Sequence, residues 1–378
     1  MTMERKSYRP TWAEIDLRAL RWNLASIRKL VDKDTAIMAV VKANAYGHGI
    51  VETSRALVDA GINYLGVATV DEGLRIRKAG MTVPVLVMGS ILREEAVIAV
   101  KNDLTVTLCD LGVLSLLKDI AAGTGVRPKV HIEVDTGMGR IGVWHEEAVE
   151  FIKNVREEGS IELEGIYTHF SSAARDKVFT TMQIESFEKV LSGIEAAGIN
   201  VRYKHAANSV AVVDWKRSHL NLVRTGILLY GVYPKEAFRK SFKLRPVMSL
   251  KTKIVYLKDA PVGRSISYGR TYITQKETKI ATIPIGYADG YGRILSNKAE
   301  ALIKGKFVKV VGIVTMDQTM LDVGDIGGVQ VGDEVVLIGR QGFSEIPIEK
   351  IAKHSGTIPY EILASVTDRV PRIYIDQS

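Results

Sequence analysis

The chain has 378 residues, 46% hydrophobic and 25% charged, which is the balance of a soluble globular protein with room for two domains and a large core. No stretch approaches the roughly 20 apolar residues of a membrane span, residues 1–10 are polar and basic with no apolar run behind them, unlike a secretory signal, and the lone Cys109 excludes internal disulfides and a cysteine-built metal cage. The net charge of +8 comes without a basic run or a nucleic-acid motif, so a cytoplasmic protein is expected, with no nucleic-acid, membrane or metal partner.

Residues 11–15 read as a short strand, after which Asp16 can cap a helix carrying Leu17, Leu20, Leu24, Ile27 and Leu30 on one face. Apolar, β-rich runs then recur at residues 37–42, 64–68, 83–88, 104–108, 130–135, 163–170, 203–207 and 220–226. Helical patterns separate most of them, as at 51–60, 72–79, 147–158 and 182–197. Eight strands alternating with helices predict an α/β fold of the (β/α)8 TIM-barrel type. A doubly wound open sheet is the competitor, but no G-x-G-x-x-G follows the first strand. Near residues 234–246 the helical period fades. Short alternating strands take over at 248–257, 279–285, 301–303, 307–314 and 334–338, and a helix closes the pattern at 348–354. The expected division is a barrel over residues 1–240, whose first residues can pair with the second domain, and a mainly β domain over 241–378.

A barrel of this type carries its active site at the C-terminal ends of the strands. The first strand delivers Lys42, followed by Tyr46. A lysine there is costly to desolvate unless it is paired or neutralised, for instance as an imine, although it could also simply snorkel to solvent. The fifth strand ends in Asp135-Thr136-Gly137-Met138-Gly139-Arg140, the sixth in Tyr167-Thr168-His169, the seventh in His205-Ala206-Ala207-Asn208-Ser209 and the eighth in Arg224-Thr225-Gly226-Ile227. Strands seven and eight are where barrels often hold a phosphate, with Ser209 and the backbone amides of Gly226 and Ile227 as donors. A phosphate site opposite a strand-end lysine suggests pyridoxal 5′-phosphate. Taken singly, Asn208-Ser209 could cap a helix, Arg224 could be a structural ion-pair residue and His169 a satisfied core histidine; Cys109 is expected to pack inside the barrel.

Together with these motifs, Val41-Lys42-Ala43-Asn44-Ala45-Tyr46-Gly47-His48-Gly49, Ser267-Tyr268-Gly269, Gly286-Tyr287-Ala288-Asp289-Gly290, Met316-Asp317-Gln318 and Ile358-Pro359-Tyr360-Glu361 give the chain a resemblance to the alanine racemase family that runs nearly end to end. The resemblance implies a homodimeric pyridoxal-phosphate isomerase that interconverts L- and D-alanine and, in a bacterium, supplies D-alanine for cell-wall peptidoglycan. It implies that Lys42 carries the cofactor as an imine and acts as one base, and that Tyr268, arriving from the partner subunit, is the other. Arg224 then meets the pyridine nitrogen, Tyr46, Asn208, Ser209, Gly226, Ile227 and Tyr360 surround the phosphate, and His169 lies between Tyr268 and Arg224. Arg140, Met316 and Asp317 address the substrate.

The chemistry agrees with those roles. Racemisation removes the Cα proton on one face and returns one on the other, for which two opposed bases suffice. A tyrosine base needs nearby cations, and Arg140 and His169 are the candidates. Arg224 stays protonated, leaves the pyridine nitrogen unprotonated and so weakens the electron sink, which suits a racemase better than a transaminase or decarboxylase. Some family members carry a carbamylated lysine where this chain has Glu133, which is expected to supply the negative charge itself and orient Arg140, by way of a water where its shorter side chain does not reach. Ile313 stands near Met316 where related enzymes can place an arginine. The alternatives are a serine or broad-specificity racemase, a barrel decarboxylase of basic amino acids and a non-catalytic pyridoxal-phosphate carrier.

Overall fold

The computed structural model describes residues 8–376. The chain divides into two compact units, one of Leu20–Ala45 and Ile50–Arg245, the other of the residues up to Ala19, Tyr46–Gly49 and those from Pro246 onward.

The first unit holds eight parallel strands: β1 (Ala36–Val40), β2 (Tyr64–Val67), β3 (Val85–Val87), β4 (Thr105–Leu108), β5 (Lys129–Asp135), β6 (Glu162–Tyr167), β7 (Tyr203–His205) and β8 (Leu222–Thr225). They pair in sequence order from β1 to β7, and β8 pairs with β1. Among the described residues no ladder joins β7 to β8, but the Arg224 N–H donates to the Ala207 carbonyl at 2.9 Å. The result is a nearly closed (β/α)8 barrel. Strands such as Tyr64–Val67, Val85–Val87 and Thr105–Leu108 are buried at every residue, as expected for a parallel sheet covered on both faces.

Amphipathic helices provide that cover. In Ala148–Glu157 the residues Phe151, Ile152 and Val155 turn inward. Thr69, Asp110 and Asp176 each start a helix by accepting from the amide three residues on. One irregularity matters later. Between β5 and β6 the register runs Val130↔Leu163, then His131↔Gly165, so Glu164 is an extra residue in a bulge.

In the second unit Thr11–Asp16 pairs antiparallel with Met248–Lys253 and parallel with Arg372–Ile375. The same sheet contains Tyr256–Ala260, Thr278–Ile283, Glu300–Ile303, Lys306–Val310, Thr319–Asp322 and Glu334–Gln341. The single strand expected over 248–257 is in fact two. At Ile254-Val255 the chain changes partner, the Ile254 amide donating to Asp333 and the Val255 amide to Thr282. Helix Ile348–Ser355 precedes the last sheet strand, Arg372–Ile375. Among the described residues no helix is long and apolar enough to cross a membrane.

Candidate active site

β1 stops at Val40, and Lys42 opens a turn of unusual backbone. Ala43, Asn44, Ala45 and Tyr46 have φ of 53°, 54°, 56° and 51°, four consecutive non-glycine residues in the left-handed region. Each such residue costs about 1–2 kcal/mol, so the surroundings must hold the turn in place. Glu72 does part of this, its two carboxylate oxygens accepting from the Ala43 amide at 2.6 Å and the Ala68 amide at 2.8 Å. Asn44 Oδ1 adds to it, accepting from the Ile50 amide at 3.0 Å and from Arg75 at 3.1 Å. Lys42 is half-buried and has no hydrogen-bond or ion-pair partner among the described residues. Burial, then the nearby Arg140, lowers its pKa below that of an ordinary lysine, with Glu72 opposing.

On the strand paired with β1, Arg224 is buried near the end of β8. Its NH1 donates to His205 Nδ1 at 2.9 Å and the His205 carbonyl at 3.2 Å; its NH2 donates to the carbonyls of Thr168 (2.8 Å) and Ala206 (3.2 Å) and lies 3.2 Å from His169 Nδ1. Nε has no partner among the described residues. Burial holds the Arg224 pKa down to about 10, so the guanidinium remains charged at neutral pH. Next to it, the Ser209 hydroxyl oxygen accepts from the Gly226 amide at 2.9 Å, while the Ile227 amide has no acceptor among the described residues. Thr225 Oγ1 is likewise buried without a partner there. Asn208 Oδ1 accepts from the amides of Val210 and Ala211, both at 3.1 Å.

The glycine turn after β5 is wound around Asp135, whose carboxylate accepts from the amides of Gly137, Met138 and Gly139, each at 2.8 Å. Arg140 emerges from that turn half in solvent, and its NH2 lies 4.0 Å from Glu133 Oε1. This separation is too long for a direct hydrogen bond. Glu133, 2% exposed, accepts from Tyr167 at 2.7 Å, and burial raises its pKa despite that bond and the nearby arginines.

The second unit carries the remaining candidates. Tyr46 and Tyr360 rings face each other with centroids 6.0 Å apart, and burial pushes the Tyr360 phenol up to about 12. Tyr268 is 71% exposed in a turn where Ser267, Gly269 and Arg270 all have positive φ. Ser267 Oγ fastens that turn by donating to the Ile313 carbonyl at 2.6 Å. Met316 and Asp317 are exposed on a loop pressed against Gly286, where a Cβ would lie 2.1 Å from the Thr315 carbonyl oxygen. Arg369 donates to Asp317 at 2.6 Å.

Two family models match the chain, the alanine racemase N-terminal domain over residues 15–234 and the alanine racemase C-terminal domain over residues 247–374. The chain belongs to the alanine racemase family. It is 46% identical to the alanine racemase of Halothermothrix orenii, over 98% of each chain. It is 47% identical to that of Methanococcus maripaludis, over 97% of this chain and 99% of the other. Among solved structures it resembles the alanine racemase of Clostridium difficile 630 with a TM-score of 0.93 and 41% identity, over 98% of this chain and 97% of that one.

Two expectations change in this alanine racemase fold. His169 is not a cation: burial, Arg224 and Arg140 push its pKa down to about 3, which leaves Arg140 as the candidate to favour a tyrosine anion. Cys109 is only half-buried at the end of β4, its Sγ 3.5 Å from Asp110 Oδ2 and 3.6 Å from Ser90 Oγ, rather than packed among apolar groups. Sequence reasoning passed over Glu72 because a lone glutamate at a helix start looks like any first-turn acid. It also gave no role to His205, although the histidine stands inside a quoted motif.

Proposed function

We propose that this chain is a homodimeric, cytoplasmic, pyridoxal 5′-phosphate-dependent enzyme that interconverts L- and D-alanine through two bases, Lys42 and Tyr268. The observation that carries this reading is the guanidinium of Arg224, buried with NH1 and NH2 engaged and Nε left over as a donor. Beside it, among the described residues, the Ile227 amide has no acceptor and the Ser209 oxygen is used only as an acceptor, which leaves its hydroxyl proton to point outward. A lysine with a lowered pKa and no ion-pair partner among the described residues completes a set that suits a phosphorylated aromatic aldehyde. The residues present therefore fit the cofactor that the family implies.

In this reading Lys42 holds the cofactor covalently, Arg224 Nε donates to its pyridine nitrogen, and Ser209, Gly226 and Ile227 hold its phosphate with Asn208, Tyr46 and Tyr360. His169 braces Arg224 in its neutral form. When bound, the cofactor draws electrons from the amino acid and acidifies its Cα–H. Lys42 Nζ takes or returns the Cα proton on one face, and the Tyr268 phenol of the partner subunit does so on the other. Arg140, turned by Glu133, and the loop at Met316 and Asp317 receive the substrate carboxylate. The exposure of Tyr268 within one chain supports its delivery across a subunit interface. The product, D-alanine, is a building block of peptidoglycan.

Polarimetry tests the activity. The cofactor-loaded protein should bring the optical rotation of L-alanine to zero, and that of D-alanine likewise. Unchanged rotation in a sample that has bound the cofactor would overturn the reading.

A further inference from the structure

Below Arg224, on the side of the barrel interior away from the strand ends, runs a chain of buried polar groups that the mechanism above does not use. His205 Nε2 lies 2.8 Å from His131 Nδ1, and His131 Nε2 lies 3.2 Å from Glu164 Oε2. The same carboxylate oxygen accepts from Tyr64 at 2.8 Å and Thr105 at 3.2 Å. All of these side chains are buried.

The partners dictate where each proton sits. A guanidinium only donates, so His205 Nδ1, 2.9 Å from Arg224 NH1, is an acceptor. Burial, reinforced by Arg224, holds His205 neutral, so its single ring proton is on Nε2 and points at His131 Nδ1. His131 is neutral for the same primary reason, so its proton is on Nε2 and points at Glu164. At Glu164 burial favours the protonated form, but the bond from His131 and those from Tyr64 and Thr105 outweigh it and lower the pKa, which keeps the carboxylate ionised. Every hydrogen bond therefore runs one way, from the arginine cation to the carboxylate anion. Reversing any one of them would set two donors face to face at Arg224.

The backbone is shaped for this chain. Glu164 is the extra residue of the β5–β6 bulge, which turns its side chain toward His131. The next residue is Gly165, where a Cβ would lie 2.7, 2.8 and 2.9 Å from three atoms of the His131 ring. Tyr167 stacks on His205 with centroids 4.8 Å apart and planes 13° from parallel, and the Arg224 guanidinium lies 5.2 Å from the same Tyr167 ring.

We propose that Glu164 and His131 are positioning residues for the racemase: through His205 they lock the tautomer and the plane in which Arg224 presents Nε to the cofactor's pyridine nitrogen. This rests on the reading that Arg224 meets the cofactor, but the tautomers themselves can be measured without it.

The test is nitrogen NMR of histidine-labelled, cofactor-free protein at pH 7, together with cofactor titration of the same samples. In the wild-type chain His131 and His205 should both be neutral with the proton on Nε2. Glu164→Leu leaves the His131 Nε2 proton without an acceptor, so His131 can carry its proton on Nδ1 instead and His205 can meet it only by giving up the Arg224 bond. The His205 tautomers should then mix and cofactor binding weaken by about tenfold, the size of a lost hydrogen bond to a charged group. Glu164→Gln, whose side-chain oxygen can accept from the same three donors, should keep the tautomers and bind the cofactor within about twofold of wild type. A wild-type His205 protonated on Nδ1, or on both nitrogens, would overturn the proposal, as would Glu164→Leu with unchanged tautomers and affinity. Should Glu164→Leu not fold, Gly165→Ala decides in its place: a displaced His131 ring must mix the His205 tautomers, and an unchanged signature overturns the proposal. Failure of the wild-type chain to bind the cofactor would instead count against the function proposed above, with the tautomers still readable.

Discussion

At the scale of single residues, charge state matters more than residue type. Lys42, His169, Arg224 and Glu133 are all ionisable, and burial pushes each toward its neutral form, yet they end in different states. Lys42 moves toward the free amine, His169 is neutral, Arg224 stays a cation, and the Glu133 carboxyl is raised. Only the charge on Arg224 could be read from the motifs, because desolvation depends on what packs around each group. Glu133 offers a direct check. Its raised pKa means that acidification removes its charge at a higher pH than for an ordinary glutamate. Tyr167, Arg224, Arg140 and Asp135 are the groups that face it. As pH falls through that range, Arg140 loses its partner and the KM for alanine should rise, with kcat changing less. Glu133→Gln should raise KM by about fivefold at neutral pH, the effect of one modest polar interaction, and flatten the rise on acidification. A KM equal to wild type across the range would show that Glu133 does not orient Arg140.

At the scale of elements, the left-handed turn after β1 is the feature with the most stored strain. Asn44→Ala removes the acceptor of the Ile50 and Arg75 donors. It should lower the unfolding free energy by about 1 kcal/mol in urea titration and reduce kcat, since Lys42 is carried on this turn. Stability and kcat both at wild-type values would mean that Glu72 alone suffices. The turn was not legible in advance: Ala43-Asn44-Ala45-Tyr46 contains no glycine to announce positive φ. By contrast, the eight barrel strands were legible because fully buried parallel strands read as continuous apolar runs. Their ends were drawn too long where apolar residues continue past the ladder, as at Val41 and Phe170. Strand Thr319–Asp322 was passed over because it is short and ends in a charge, and the Glu164 bulge because a bulge exists only in the pairing of two strands.

At the scale of the whole molecule, the candidate site residues are divided between the two units. The barrel unit holds Lys42, Arg224, Ser209, Gly226 and Ile227, and the β unit holds Tyr268, Met316 and Tyr360. If the opposing base comes from a second copy, no single chain has a complete site, and this is the claim on which the functional account rests. Subunit complementation tests it most directly. Lys42→Ala and Tyr268→Ala should each be inactive alone. After subunit exchange, verified by mass spectrometry, their mixture should recover about a quarter of wild-type activity, because half the dimers are mixed and each mixed dimer has one intact site of two. A mixture with proven exchange and no activity above that of the separate variants would contradict the account.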